Sequence, residues 1–314
     1  MKYIDMHCDT IVECFLKGQQ LKANDLHVDA EKLKNRAAAQ FFAVFIPAEE
    51  TVDKGIIEYD FFKSVYEFYQ QQLSLNSDLI RPLLTFDDLE KNMSQNFISS
   101  ILTIEDGQLL DNDISRVKEV YDMGVRLITL TWNHENCLGY PNSSDPQSHM
   151  KGLKQFGFDV VEEMNRLGML IDVSHLSEGG FRDVISTSRK PVVASHSCAR
   201  ALCDHPRNLT DDQLRAIGEC GGTVGVNFYS KFLRKGSEES TVNDIVRHIK
   251  HMVSVMGIES VSLGSDFDGV DCRMEIGDYS NYDLLLRELE KDFSDGQIEK
   301  ICRMNAMRVL GDCL

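Results

Sequence analysis

Short apolar runs of β type alternate with longer stretches of helical periodicity from one end of the chain to the other. The runs at 3–6, 41–46, 100–104, 126–131, 169–173, 192–195, 223–227 and 260–264 predict eight strands. Apolar positions recur at three- and four-residue intervals across 55–75, 114–123, 152–167, 179–186, 210–219, 242–256 and 296–310, which predicts helices there. Thr210-Asp-Asp-Gln213 reads as a capping box, and Gly168, Gly221 and Gly257 stand where helices should end. Eight strands with helices between and after them predict an α/β fold of the (β/α)8 TIM-like barrel type, with a doubly wound open sheet as the alternative. The stretch 76–96 is the least regular and carries 80–85 as a short strand outside the barrel.

With 314 residues, 42% of them hydrophobic and 26% charged, the chain can bury a large core. No linker-like stretch divides it, so 1–314 reads as a single domain. The formal charge of −17 repels phosphate backbones and anionic membrane surfaces, so no nucleic acid and no membrane partner is expected. The first residues lack the apolar segment of a signal peptide, and no run approaches the roughly 18 apolar residues of a membrane span. A cytoplasmic location is expected. Nine cysteines, scattered and never in a CxxC pair, argue against a disulfide framework and against a structural zinc site.

In a barrel of this kind the chemistry sits at the carboxyl ends of the strands. Strand one ends in His7-Cys8-Asp9, strand three in Glu105-Asp106-Gly107 and strand four in Trp132-Asn133-His134. Strand five ends in Ser174-His175, strand six at His196, strand seven in Asn227-Phe228-Tyr229, and strand eight in Asp266-Phe267-Asp268-Gly269. Residues two apart on a strand face the same way, so His7 and Asp9 can share one metal while Cys8 turns from them. His175 and His196, at consecutive strand ends, can hold a second. Glu105 follows an apolar run, where an unpaired charge is costly to desolvate. A cation is its natural partner, and a salt bridge to Arg or Lys is the ordinary alternative.

Taken as one set, these residues fit two divalent ions bridged by Glu105 and a hydroxide, with positive charge left over for a carbonyl oxygen or an anionic substrate. Asp266 is a candidate general base, and Asp268 a turn or capping carboxylate. Arg207, in His205-Pro206-Arg207-Asn208, is either a bidentate grip for a carboxylate or a solvated surface group. His27, His149, His248 and His251 read as structural or surface groups.

The segments Asp5-Met-His-Cys-Asp-Thr10, Thr103-Ile-Glu-Asp-Gly107, Leu127-Ile-Thr-Leu-Thr131, Ile171-Asp-Val-Ser-His175, Ser195-His-Ser197, His205-Pro-Arg-Asn208, Gly225-Val-Asn-Phe-Tyr229 and Gly264-Ser-Asp-Phe-Asp-Gly269 occur in this order. Together they resemble the membrane (renal) dipeptidase family of zinc metallopeptidases, in the amidohydrolase superfamily. Asn305-Ala-Met-Arg308 resembles that family's closing Asn-x-x-Arg. The resemblance implies a binuclear zinc dipeptidase acting on free dipeptides, including those with a C-terminal D-residue. It implies His7, Asp9 and Glu105 on one zinc and Glu105, His175 and His196 on the other. Asp266 becomes the proton-transfer residue, Arg207 the contact for the substrate carboxylate, and Tyr229 a pocket residue. The family often has a histidine directly after the Leu-Thr-Leu-Thr run to polarise the scissile carbonyl; here Trp132 holds that place and His134 becomes the candidate. A homodimer is also implied. Other amidohydrolase activities (lactonase, phosphotriesterase, deacetylase) remain as alternatives, although many such enzymes use His-x-His on strand one and a carbamylated lysine on strand four. This chain has His-x-Asp and no lysine across 126–134. A non-catalytic paralogue would be expected to have lost a ligand or the strand-eight acid, and none is missing.

Overall fold

The structure, a computed structural model, describes residues 1–47 and 56–314. Its strands are β1 (Tyr3–Asp5), β2 (Ala37–Phe45), β3 (Ile80–Pro82), β4 (Ile98–Glu105), β5 (Val125–Thr129), β6 (Leu170–Asp172), β7 (Val192–Ser197), β8 (Thr223–Val226), β9 (Glu239–Ser240), β10 (Val261–Leu263) and β11 (Arg273–Met274). Eight of them form a closed parallel barrel in the order β1-β2-β4-β5-β6-β7-β8-β10, and β10 pairs back onto β1. These eight are the eight predicted strands, and the closure excludes the open sheet. The extra strand falls where the sequence puts it: β3 pairs with the first residues of β4, outside the ring. The pair β9–β11 forms a separate two-stranded ribbon.

The boundaries shift for local reasons. β2 starts four residues ahead of the predicted 41–46, because Ala37, Ala38, Ala39 and Gln40 carry little β preference of their own and are extended by pairing with β1. The predicted helix 55–75 begins at a residue outside the described ones; its described part is Glu58–Leu75. Thr210 and Gln213 form the expected capping box, the hydroxyl accepting from the Gln213 amide at 3.2 Å and the Gln213 side chain from the Thr210 amide at 2.9 Å. The expected helix 296–310 is three pieces: Asp295–Glu299, a π turn at Lys300–Met304, and Asn305–Cys313. Asn305 donates to the Ile258 and Val261 carbonyls (2.8 and 2.7 Å), and Arg308 donates to the Gly222 and Glu259 carbonyls (3.1 and 3.0 Å). The closing Asn-x-x-Arg therefore ties the last helix to the amino-terminal ends of β8 and β10. Helices Thr10–Lys17 and Phe86–Ser94 lie outside the predicted ones.

The interior of the barrel changes character with height. Ile101, Leu127, Leu170 and Val193 belong to one buried apolar cluster with Ile4 and Met6. Two residues further along the same strands, on the same face, come Thr103, Thr129, Asp172 and Ser195, all buried. Above Thr103 stands Glu105. An apolar floor, a polar layer and a layer of ligand-type side chains thus succeed one another toward the carboxyl ends.

Candidate active site

At that end β1 and β10 bring the first and last of the candidate residues together. The amide of Asp9 donates to the Phe267 carbonyl (3.0 Å) and that of Asp266 to the His7 carbonyl (3.2 Å). His7 Nε2 then lies 3.7 Å from Asp9 Oδ2, 3.5 Å from Glu105 Oε2 and 3.8 Å from Asp266 Oδ1. The other oxygen of Glu105, Oε1, faces His175 Nε2 at 3.1 Å and His196 Nε2 at 3.3 Å. All six side chains are buried. Cys8 turns away, its thiol donating to the Phe41 carbonyl. His175 (φ +65°) and Asp266 (φ +62°) both have left-handed backbone, which costs a residue with a Cβ roughly 1–2 kcal/mol. The chain turns at these two points instead of continuing as strand, and each side chain is aimed over the barrel mouth.

The electrostatics of the cluster are those of a site short of positive charge. Burial, and next the Glu105 carboxylate, push Asp9 up to about 7. Burial also raises Asp266. For Glu105, burial works upward, but the His7 charge, with the His175 and His196 rings beside it, outweighs it and holds the carboxyl well below its ordinary range. Burial, with Arg207 nearby, takes His175 down to about 4, and His196 is lowered well below 6.5 by burial and by His7, so both rings are neutral. Both nitrogens of His7 and Asp9 Oδ1 are buried without a hydrogen-bond partner. Orphaned nitrogens and carboxylate oxygens beside neutral imidazoles form a donor set that fits divalent cations. Two overlapping groups have ligand atoms close enough to hold an ion: His7, Glu105 and His196, and His7, Asp9 and Asp266.

The cluster floors a cavity of about 220 Å³ with aromatic walls, Phe45 against Trp132 on one side (4.6 Å, edge to face) and Tyr229 against Phe232 on the other (4.9 Å). Tyr229 lines it, its hydroxyl donating to Asp271. Arg207 is not the solvated group of the alternative reading. It is buried and, like His134, is not among the residues lining the cavity; it donates to Ser197 Oγ and the His196 carbonyl (both 2.7 Å), and its Nε has no partner. Asp268, expected as a turn or capping carboxylate, instead ties distant segments together, accepting from Thr10 Oγ1 (2.5 Å) and the His27 amide (2.7 Å). His134 is a correction. Its ring is exposed, packs against Trp132 at 5.4 Å and does not line the cavity, so nothing here aims it at a scissile carbonyl. The residue between them, Asn133, lines the cavity and accepts from His175 Nδ1 (3.1 Å), which leaves His175 Nε2 free to face Glu105. Sequence reasoning gave Asn133 no role beyond its place at a strand end and did not name Glu13, an acid on the cavity wall paired with Lys17 (2.6 Å). The only signal for Asn133 was its place beside Trp132.

The sequence profile of the membrane dipeptidase family, peptidase family M19, matches residues 1–313. The chain belongs to that family. The dipeptidase is 36% identical over 251 residues to an uncharacterized protein of Klebsiella pneumoniae, spanning 77% of this chain and 92% of that one. It is 33% identical over 297 residues to an uncharacterized dipeptidase of Schizosaccharomyces pombe, spanning 90% and 71%. The fold superposes with a TM-score of 0.92 on a solved dipeptidase of the same family at 25% identity, covering 100% of this chain and 98% of the other. A metallopeptidase of Rhodobacter sphaeroides, solved with a phosphinate mimic of the dipeptide L-Ala-D-Ala, superposes equally well at 24% identity, covering 100% and 99%. The chain is therefore a metallo-dipeptidase, a hydrolase acting on peptide bonds. Among its described residues no helix is long and apolar enough to cross a membrane.

Proposed function

We propose that the dipeptidase hydrolyses free dipeptides with a pair of zinc ions, one held by His7, Asp9 and Glu105 and the other by Glu105, His175 and His196. The observation that carries this reading is the division of Glu105, one oxygen toward His7 and the other toward His175 and His196. When bound, the metal pair supplies Lewis acidity and brings the pKa of water down toward roughly 7. The protein residues do the rest. Asp266, buried and held at Oδ2 by Asn227 Nδ2 (2.7 Å), takes the proton of the attacking water and passes it to the leaving amine. Arg207, with its Nε unpaired, receives the substrate carboxylate, for which a guanidinium is well matched. The 220 Å³ cavity suits a ligand smaller than a drug-sized molecule, and its aromatic walls suit two short side chains. The phosphinate mimic bound by the Rhodobacter sphaeroides metallopeptidase makes a D-residue in the second position part of the proposal. All nine cysteines are free thiols, in keeping with a cytoplasmic location.

The test is a metal count on zinc-reconstituted protein together with a panel of free, end-amidated and L,D dipeptides. Two zinc ions per chain and cleavage restricted to free dipeptides are expected. A protein that takes up no zinc, or that cleaves free and amidated dipeptides equally, would overturn the reading.

A further inference from the structure

Below the ligands lies a carboxylate that the reaction scheme does not use. Asp172, on β6, is wholly buried and accepts four hydrogen bonds. Oδ1 takes the amides of Ser174 and Ser195, both at 2.9 Å; Oδ2 takes the hydroxyls of Thr129 (2.6 Å) and Ser195 (2.5 Å). Because the Ser195 hydroxyl gives its one proton to Asp172, its oxygen meets His196 Nδ1, 2.7 Å away, as an acceptor. His196 must then carry its proton on Nδ1, and Nε2 presents a lone pair toward Glu105 Oε1 and His175 Nε2. We propose that Asp172, acting through Ser195, is the positioning group that sets the tautomer of His196 and so makes that ring a metal ligand. The proposal rests on the zinc reading above.

An Asp172→Asn substitution reverses the arrangement. The new amide oxygen keeps its place against the two backbone donors, so the NH2 group faces the Thr129 and Ser195 oxygens. Two hydrogens meet two acceptors, and the Thr129 hydroxyl exchanges the acceptor it had for a donor. Ser195 now accepts from position 172, and its own proton turns to His196 Nδ1. The other nearby oxygen, Ser174 Oγ at 3.4 Å, lies outside ordinary O–H···O reach. His196 is driven to the Nε2–H form, which has no lone pair for a metal.

Nitrogen-15 NMR of histidine-labelled, metal-stripped protein reads the tautomer, and zinc affinity by competition with a chromogenic chelator reads the consequence. Wild-type His196 is expected protonated on Nδ1. D172N should show it protonated on Nε2, with zinc at the weaker site bound on the order of 100-fold less tightly, and S195A should lose about tenfold, the range typical of groups that orient metal ligands. The double variant D172N/S195A lacks the hydroxyl that donates to Nδ1 and so drives the ring proton to Nε2, and it should bind zinc more tightly than D172N. A purely structural role predicts the double variant to be the worst of the three, and that result would overturn the proposal, as would an unchanged tautomer in D172N. Should D172N fail to fold, S195A carries the test: a mixed tautomer and weaker zinc support the proposal, and neither would refute it. Wild-type protein that takes up no zinc while His196 stays protonated on Nδ1 would overturn the zinc reading instead.

Discussion

Gly264 follows β10, and an added Cβ there would lie 1.8 Å from the Ser195 carbonyl oxygen and 3.2 Å from Gly225 Cα. Real Cβ atoms keep at least 3.0 Å, so Gly264→Ala must part the two backbones by at least about 1.2 Å. The obstacle is main chain of a central barrel strand, which has no rotamer to change. Overpacking of this kind costs about 1–3 kcal/mol, and the rigid neighbour puts this case at the upper end. At roughly 2–4 °C per kcal/mol, the melting temperature should fall by about 5–10 °C. Ser195 is joined to His196, so the same displacement moves a ligand by about 1 Å, enough to lower kcat/KM by about 10²-fold. Scanning calorimetry and dipeptide hydrolysis on one zinc-loaded preparation measure both effects. Gly296→Ala is the control: nothing lies within 4 Å of its Cβ, and a helical alanine there should be neutral or stabilising by up to about 1 kcal/mol. A G264A protein that melts within about 1 °C of wild type at full activity would refute the argument.

Asp266→Asn should lower kcat by about 10²–10⁴-fold with both zinc ions retained; since His7, Asp9 and Asp266 could also hold an ion between them, a metal count that falls by one would make Asp266 a ligand instead. Arg207→Met should reduce kcat/KM for free dipeptides by about 2–4 kcal/mol in ΔΔG‡ while leaving zinc content unchanged, measured by steady-state kinetics beside a metal assay. His248 is buried, its Nδ1 accepting from the Ala199 amide and its Nε2–H donating to the Leu233 carbonyl, and burial lowers it to about 4. The unfolded chain, with an ordinary value near 6.5, binds more protons between those limits, so this stability is present above about pH 6.5 and lost as pH falls toward 4. Urea titrations should show about 2 kcal/mol of it gone between pH 7 and 5, and a His248→Asn protein should show a correspondingly flatter dependence.

The barrel was legible because seven of the eight apolar runs lead straight into a polar residue, and eight such runs separated by helical stretches admit few other architectures. His7, Asp9, Glu105, His175 and His196 converge in the structure because they share those ends, a relation that can be read without coordinates. Parity fails past the end of a strand. β5 stops at Thr129, two residues before its predicted end, so alternation could not say which of Trp132, Asn133 and His134 faces inward. Arg207 lies in a loop, and a sequence gives no account of how deeply a loop packs. Asp172 was within reach: it alternates with Leu170 on the face turned into the barrel, but within the motif it was read only as part of the approach to His175.

The seam between β1 and β10 has a consequence for how the protein comes into being. His7 and Asp9 leave the ribosome well before their frame does: the Phe267 carbonyl that accepts from Asp9 and the Asp266 amide that donates to His7 are made more than 250 residues later. A growing chain therefore exposes early ligands with no frame around them. The site as described exists only once the ring has closed, and a chain cut short before Asp266 would keep His7 and Asp9 without the backbone that holds them.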